Sequence, residues 1–258
     1  FGTDPVTHEI LFAGGEREIV RLVEEHSDSV TYGENIGRQG CPIPPLPGLR
    51  SRTRQPVLLD LWELGPSPRK AFTTVANWKQ TGNDVVYQGQ TYYWSKHREF
   101  LKFIELPERV RQPIELALAF PHLDGSDRRL LEAHRWSVVD ALPFTLDPWS
   151  YRDYVRSSSA EFTVAKDQNV RLRSGWFSER SACYLAAGRP VITQDTGFGT
   201  VLPTGEGLFA FNSLEEIVEA FEKVISDYSR HSRAARAIAE EYFRAETVLA
   251  KVLDDLDL

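Results

Sequence analysis

Along this 258-residue chain the hydrophobic residues fall into two alternating patterns. Short continuous apolar runs occur at 72–76 (Phe-Thr-Thr-Val-Ala), 114–120 (Ile-Glu-Leu-Ala-Leu-Ala-Phe), 136–140, 162–165 and 191–193. Each has strand length and is bounded by polar or turn-forming residues, so each predicts a strand. Between them apolar residues recur at helical spacing: Ile19, Val20, Leu22 and Val23, ending near His26; Phe100, Leu101, Phe103 and Ile104 within 95–106; and Leu214, Ile217, Val218, Phe221 and Val224. The last set follows Ser213-Leu214-Glu215-Glu216, a capping box that starts a helix. Shorter helices are predicted at 127–134 and 151–157, short strands at 29–32 and 57–59, and a charged helical stretch at the end of the chain. The five prolines of 41–56 predict an irregular extended loop.

Strands alternating with helices predict an α/β protein built on parallel sheets. Charged residues and Pro113 mark a break at 107–113, dividing the chain into 1–111 and 112–258. At the start, Phe1-Gly2-Thr3 reads as the tail of a strand, with Asp4 as helix cap and Pro5 in the first helical position. Together with the complete absence of Met, this predicts that strands of the first domain precede Phe1.

The segment 174–192, Ser-Gly-Trp-Phe-Ser-Glu-Arg-Ser-Ala-Cys-Tyr-Leu-Ala-Ala-Gly-Arg-Pro-Val-Ile, is the most informative. Ser178 is a preferred N-cap type and Glu179 suits the positive first turn of a helix that Gly188 can close. The N–H groups around Gly175, Trp176 and Phe177 are left to face an anion at the edge of a sheet, as phosphorylated ligands require. Lys166, Arg171 and Arg173, between the preceding strand and this helix, supply cations, and arginine fits phosphate oxygens with two prongs. Trp176 and Phe177 suit either stacking on a base or sugar, or packing onto the neighbouring domain.

This stretch resembles the donor-binding segment of GT-B glycosyltransferases. The ending Ala186, Gly188, Pro190, Val191, Ile192 carries the likeness, and so do the segments after it: Gln194-Asp195-Thr196-Gly197, then Gly205-Glu206-Gly207-Leu208-Phe209-Ala210-Phe211, then a capped helix. It extends over about 112–258. More weakly, 1–111 resembles the latter part of the N-terminal domain in a poorly characterised bacterial branch of these proteins. The resemblance implies two Rossmann-like parallel-sheet domains, the first incomplete in this chain. It also implies a nucleotide-diphosphate sugar held by Ser174, Gly175, Trp176, Phe177, Ser178, Glu179 and Arg180, with Gln194, Asp195, Thr196 and Gly197 near the sugar. The sequence departs from the pattern at two places: Cys183 and Gly175 stand where many retaining members carry glutamates.

Composition narrows the remaining classes. The formal net charge of −7 and a pI near 5.5 argue against nucleic acid as the main ligand. No apolar run approaches the roughly 20 residues of a membrane span. Cys41 and Cys183 fit no metal-ligand spacing and predict free thiols of a reducing, cytoplasmic compartment. No Walker loop, zinc-ligand spacing, Ser-His-Asp ordering or strand-linked Gly-x-Gly-x-x-Gly is present, which disfavours nucleoside triphosphatases, metalloenzymes, hydrolases and dinucleotide dehydrogenases.

For a transfer reaction, a base must meet the acceptor hydroxyl. In the first domain Asp4, Glu34, Asn77 and Trp78 fall at predicted carboxyl ends of strands. Helix capping accounts for Asp4, which leaves Glu34 as the catalytic candidate. The expected function is hexosyl transfer from a nucleotide-diphosphate sugar to a small-molecule or glycan acceptor, with no cofactor and no metal. The alternative is a non-catalytic GT-B relative that binds a nucleotide or a partner. A sugar-phosphate isomerase or epimerase is the third reading.

Overall fold

A computed structural model describes residues 5–65, 69–120 and 123–258. The expected cap at Asp4 lies outside the described residues.

The first unit holds helices α1 (Thr7–Ala13) and α2 (Arg17–Glu24) and a two-stranded parallel sheet, β1 (Ser29–Thr31) beside β2 (Leu49–Arg52). β2 falls inside the proline-rich stretch where the sequence predicts only loop. The prolines flank it instead, leaving Leu49, Arg50, Ser51 and Arg52 free to donate to a ladder. The strand expected at 57–59 does not form. Val57 makes one bridge, donating to the Phe243 carbonyl at 2.7 Å and accepting from Ala245 at 3.0 Å, and a 3₁₀ turn comes next at Leu59–Leu61.

The second unit begins with β3 (Phe72–Ala76), then a hairpin of β4 (Val85–Tyr87) and β5 (Gln90–Tyr92). Gln88 and Gly89 both have positive φ, 49° and 76°, the two-residue turn that matches the twist of a hairpin. The helix expected at 95–106 is two, α3 (His97–Lys102) and α4 (Leu106–Arg109), with Pro107 in the first turn of the second. Then come β6 (Ile114–Leu118), α5 (Gly125–Ala133), β7 (Ser137–Asp140), α6 (Leu142–Thr145), α7 (Pro148–Ser157), β8 (Ala160–Thr163), α8 (Asp167–Arg171), α9 (Glu179–Ala186), β9 (Val191–Gln194) and β10 (Leu208–Phe211). Three helices, α10 (Leu214–Ser226), α11 (Tyr228–Tyr242) and α12 (Ala245–Asp255), complete the chain.

All six strands of the large sheet are parallel, in the order β10-β9-β8-β3-β6-β7. The chain therefore starts at the middle, winds outward through β6 and β7, crosses back beside its starting strand and winds out the other way. That is the doubly wound order, with its switch point between β3 and β8. Because β3 lies inside this sheet, the sheet begins before 107–113, where the sequence places a domain boundary. Pro107, Glu108 and Arg109 belong to α4, and Arg111 and Pro113 lie in the turn that leads to β6.

Side chains alternate between the two faces. Phe162, Ile192, Phe209 and Phe211 meet α3, α5 and α10 in one core; Val191 and Leu208 meet α7, α9 and α11 in the other. Phe162 is fully buried, which contributes about 1.5–3 kcal/mol. A third cluster ties Val6, Ile10, Ile36 and Ile43 of the first unit to Val85 and Tyr92 of the hairpin and to Leu172. Among the described residues no helix is long and apolar enough to cross a membrane.

Candidate functional site

Parallel strands end together, so their outgoing loops meet on one side of the sheet. At the switch point they enclose a crevice of about 910 Å³. Its walls are the ends of β3 (Ala76, Asn77), β6 (Ala119) and β7 (Ala141, Leu142), Lys166 after β8, and Ser178, Glu179 and Arg180 at the start of α9. Val30, Tyr32 and Gln55 of the first unit close it from above. A second cavity of about 280 Å³, between α1, α2 and β1, shares Val30 and Tyr32 with it.

Three cations reach the crevice from three elements. Arg180 is buried, donating from Nε to Glu161 at 2.5 Å, from Nη1 to the Val75 carbonyl at 2.9 Å and from Nη2 to Thr163 Oγ1 at 2.8 Å. Burial works against its charge, but the Glu161 carboxylate outweighs that and holds the guanidinium charged. Lys96, one residue before α3, is 7% exposed. Its ammonium has no ion pair or hydrogen bond among the described residues and lies 5.7 Å from the centre of the Trp176 ring. Burial first, then Arg180 and Lys166, push its pKa well below the ordinary lysine range. Lys166 sits over the Trp94 ring. An acidic protein thus concentrates positive charge at one place.

Ser178 has the extended backbone of an N-cap, yet its hydroxyl caps nothing. The first turn of α9 is left open toward the crevice. The N–H groups expected to face an anion lie elsewhere: Gly175 donates to the Thr196 carbonyl at 2.8 Å, and Trp176 donates to Ser174 Oγ at 3.2 Å. Ser174 Oγ itself donates to Asn169 at 2.7 Å.

Of the sequence-predicted ligand residues, Trp176, Ser178, Glu179 and Arg180 line the crevice. Phe177 is packed between Phe198 and Phe243, at 5.3 and 5.4 Å between ring centres. Arg171 is held away by Asp167, the Thr91 carbonyl and Gln90, and stacks on Tyr92. Arg173 pairs with Asp195 at 3.2 Å. Gln194 is a buried strut, accepting from the Ala165 N–H at 3.2 Å and donating to Glu99 at 2.7 Å. Thr196 donates to the Trp176 carbonyl at 2.6 Å.

Gly175 and Gly197 serve a close approach to Asn35. Both have positive φ, 76° and 88°, and a Cβ on either would lie within 2.8 Å of Asn35 atoms. Asn35 donates through Nδ2 to the carbonyls of Arg173 (3.1 Å) and Gly197 (3.0 Å), and through its backbone N–H to Ser174 (3.0 Å). Its Oδ1 accepts from Thr200 at 2.8 Å. These loops lock the two units together, so they are spent before a ligand arrives.

Glu34, the expected base, does not line the crevice. Its carboxylate accepts from Arg54 at 2.7 Å and is 6% exposed. Trp78 is core, donating to Asp127 at 2.8 Å. The Cys183 thiol, at a position where the GT-B pattern has a glutamate, is pushed up to about 12 by burial and by Glu179 and Glu161. Among the described lining residues Glu179 is the only carboxylate.

No protein-family model matches the sequence, and no curated protein does. Solved structures do. Anabaena HepE, crystallised with UDP-glucose, is similar over 98% of this chain and 70% of its own, with a TM-score of 0.62 at 13% identity. TarM from S. aureus matches over 95% of this chain and 46% of its own, with a TM-score of 0.62 at 9% identity. A glycosyltransferase from Rickettsia africae matches over 82% and 57%, with a TM-score of 0.55 at 11% identity. The chain has a GT-B glycosyltransferase-like fold. Within that fold, the crevice lies where the two units face each other across the switch point. Lys96, Gln55 and Trp94 are among the lining residues that sequence reasoning missed. Each stands alone in a loop or beside a helix start, with no local motif to announce it.

Proposed function

We propose that the protein is a glycosyltransferase that holds a nucleotide-diphosphate sugar in this crevice. The observation that carries the reading is Lys96: a buried ammonium with no ion pair among the described residues, with Glu161 and Glu179 acting on it only from a distance, beside Arg180, Lys166 and the uncapped first turn of α9. A diphosphate supplies what this arrangement lacks. Apolar Ala119, Ala141 and Leu142 at the β6–β7 end suit the base. The opposite end, under the first unit, is left to the sugar and acceptor, with the smaller cavity beside it. The side-chain cations meet the diphosphate charge, so binding is expected to persist in EDTA. HepE, with UDP-glucose bound in its crystals, is in keeping with such a donor.

Calorimetry and amide spectra of the full chain with UDP, dTDP, GDP and ADP test this. At least one at 5 mM should bind and shift the amides of 176–180. If none does, with and without EDTA, the reading fails.

One observation favours a second reading, a nucleotide-binding relative without transfer activity. Gly175 and Cys183 remove two acids of the GT-B pattern, Glu34 is tied to Arg54, and Glu179 alone remains as a base. Donor turnover by the wild type, lost in Glu179→Gln with nucleotide binding kept, would rule that reading out.

A further inference from the structure

We propose that Gln55 reads the donor's sugar, hydrogen-bonding a hexose hydroxyl from the first unit's side of the crevice; this rests on the function proposed above. Gln55 is fixed in backbone and unspent in side chain. Pro56 behind it favours an extended conformation. Its neighbours are anchored on both sides: the Arg54 guanidinium lies 5.9 Å from the centre of the Phe243 ring, and Val57 donates to the Phe243 carbonyl at 2.7 Å. Phe177, next to Ser178, packs on the same Phe243 ring. Through Phe243 the Gln55 backbone is thereby tied to the loop that delivers the start of α9, and Gln55 lines the crevice beside Ser178 and Glu179.

Among the described residues the Gln55 amide has no partner. Its carbonyl oxygen is shut off from solvent without a hydrogen bond, so a ligand meets it only once the amide turns about its terminal torsion, and its nitrogen makes no hydrogen bond among the described residues. Leaving such a group unmade is costly, whereas pairing it recovers that cost. The ligand group that fits best is a hydroxyl, which both donates and accepts. It can therefore satisfy either end of the amide, and the soft terminal torsion of glutamine lets the two ends exchange. A phosphate oxygen only accepts and would leave the carbonyl oxygen orphaned. Gly175 and Cys183 place no carboxylate where the GT-B pattern would offer one to sugar hydroxyls, so a contact from the facing unit fills that need.

The test compares each nucleoside diphosphate with its sugar by calorimetry on the full chain: UDP with UDP-glucose, GDP with GDP-mannose, ADP with ADP-glucose. In the wild type at least one sugar nucleotide should bind more tightly than its diphosphate. In Gln55→Ala and in Gln55→Leu that ratio should fall by about 3- to 10-fold, the net worth of a neutral hydrogen bond, while the diphosphate affinity stays the same. Gln55→Leu should keep or raise the wild-type Tm, because the side chain makes no hydrogen bond among the described residues and the substitution removes an unpaired buried carbonyl. An unchanged ratio overturns the proposal, and so does an equal loss for diphosphate and sugar nucleotide, which would put Gln55 on the nucleotide. Absence of all nucleotide binding overturns the function reading itself, and is distinguished by that.

Discussion

Replacing Lys96 with methionine separates binding from structure, because the two predict opposite signs. Methionine fills a similar length without charge. A buried cation lacking a partner costs stability, so Lys96→Met should hold or raise Tm. For a chain of this size each kcal/mol gained is worth about 2–4 °C. The pH dependence is a matter of linkage. The folded-state pKa of Lys96 lies below its unfolded value, so between the two the unfolded chain binds more protons and stability rises with pH. The penalty on the wild type is therefore full at acid pH and gone above the ordinary lysine value of about 10.4. The variant should gain most at acid pH and nothing above that lysine value.

Ligand affinity should move the other way. A hydrogen bond between an ammonium and a phosphate is worth about 1.5–3 kcal/mol, and the charge attraction at 4 Å about 4 kcal/mol at the effective dielectric of a partly buried site. Part of this offsets the cost of taking both charged groups out of water. A net loss of about 2–3 kcal/mol remains, a weakening of about 30- to 150-fold. Urea denaturation and calorimetry with the best-binding diphosphate give both numbers. A lower stability together with an affinity changed by less than about 3-fold, well under one such bond, would refute the argument and make Lys96 a structural residue.

An anion bound beside Lys96 raises the pKa that the empty crevice lowers, so affinity should fall as pH rises through the interval between the two, and calorimetry should show this fall in the wild type but not in Lys96→Met. Asn35→Ala removes the bonds to Arg173, Gly197 and Thr200 and should cost about 2–4 kcal/mol in urea unfolding; a loss under about 1 kcal/mol would show that the two units do not depend on it. Glu161→Gln leaves the Arg180 charge without its buried carboxylate and should cost about 3–5 kcal/mol by the same measurement; near-neutral behaviour would mean the pair is not held as described.

Local periodicity reported the scaffold well and the site poorly. The run at 72–76 became β3 residue for residue, and the capping box at Ser213 formed with both of its bonds. Such features depend on neighbours in sequence. β2 was hidden among prolines, and Val57 pairs with a residue 187 positions away, Arg244, so neither leaves a local trace. The site depends on distance even more strongly. Arg171 and Arg173 sit in a phosphate-binding position by sequence, but one folds onto Tyr92 and the other onto Asp195. Nothing in the sequence around Lys96 marks it, and only the fold brings it against Trp176. Glycines at 175 and 197 read as ligand loops by motif, whereas the space they leave belongs to Asn35. A glycine reports that something approaches closely, and the sequence alone does not say whether that is a ligand or the protein itself.

The net charge of −7 and an anionic ligand are compatible for a reason of range. At physiological ionic strength charges more than about 8 Å apart are largely screened at the surface, so the acids spread over the outside weigh little on a bound diphosphate. Lys96, Lys166 and Arg180 act from within the crevice, where screening is weak and the field is focused by low-dielectric walls. A long polyanion has to lie along the acidic surface and meets its full repulsion. A nucleotide sugar is small enough to leave that surface and enter. On the function proposed above, the distribution of charge, more than its sum, would favour a compact anion over a nucleic acid, and raising the salt should weaken capture of the nucleotide far less than it would weaken a surface-bound polyanion.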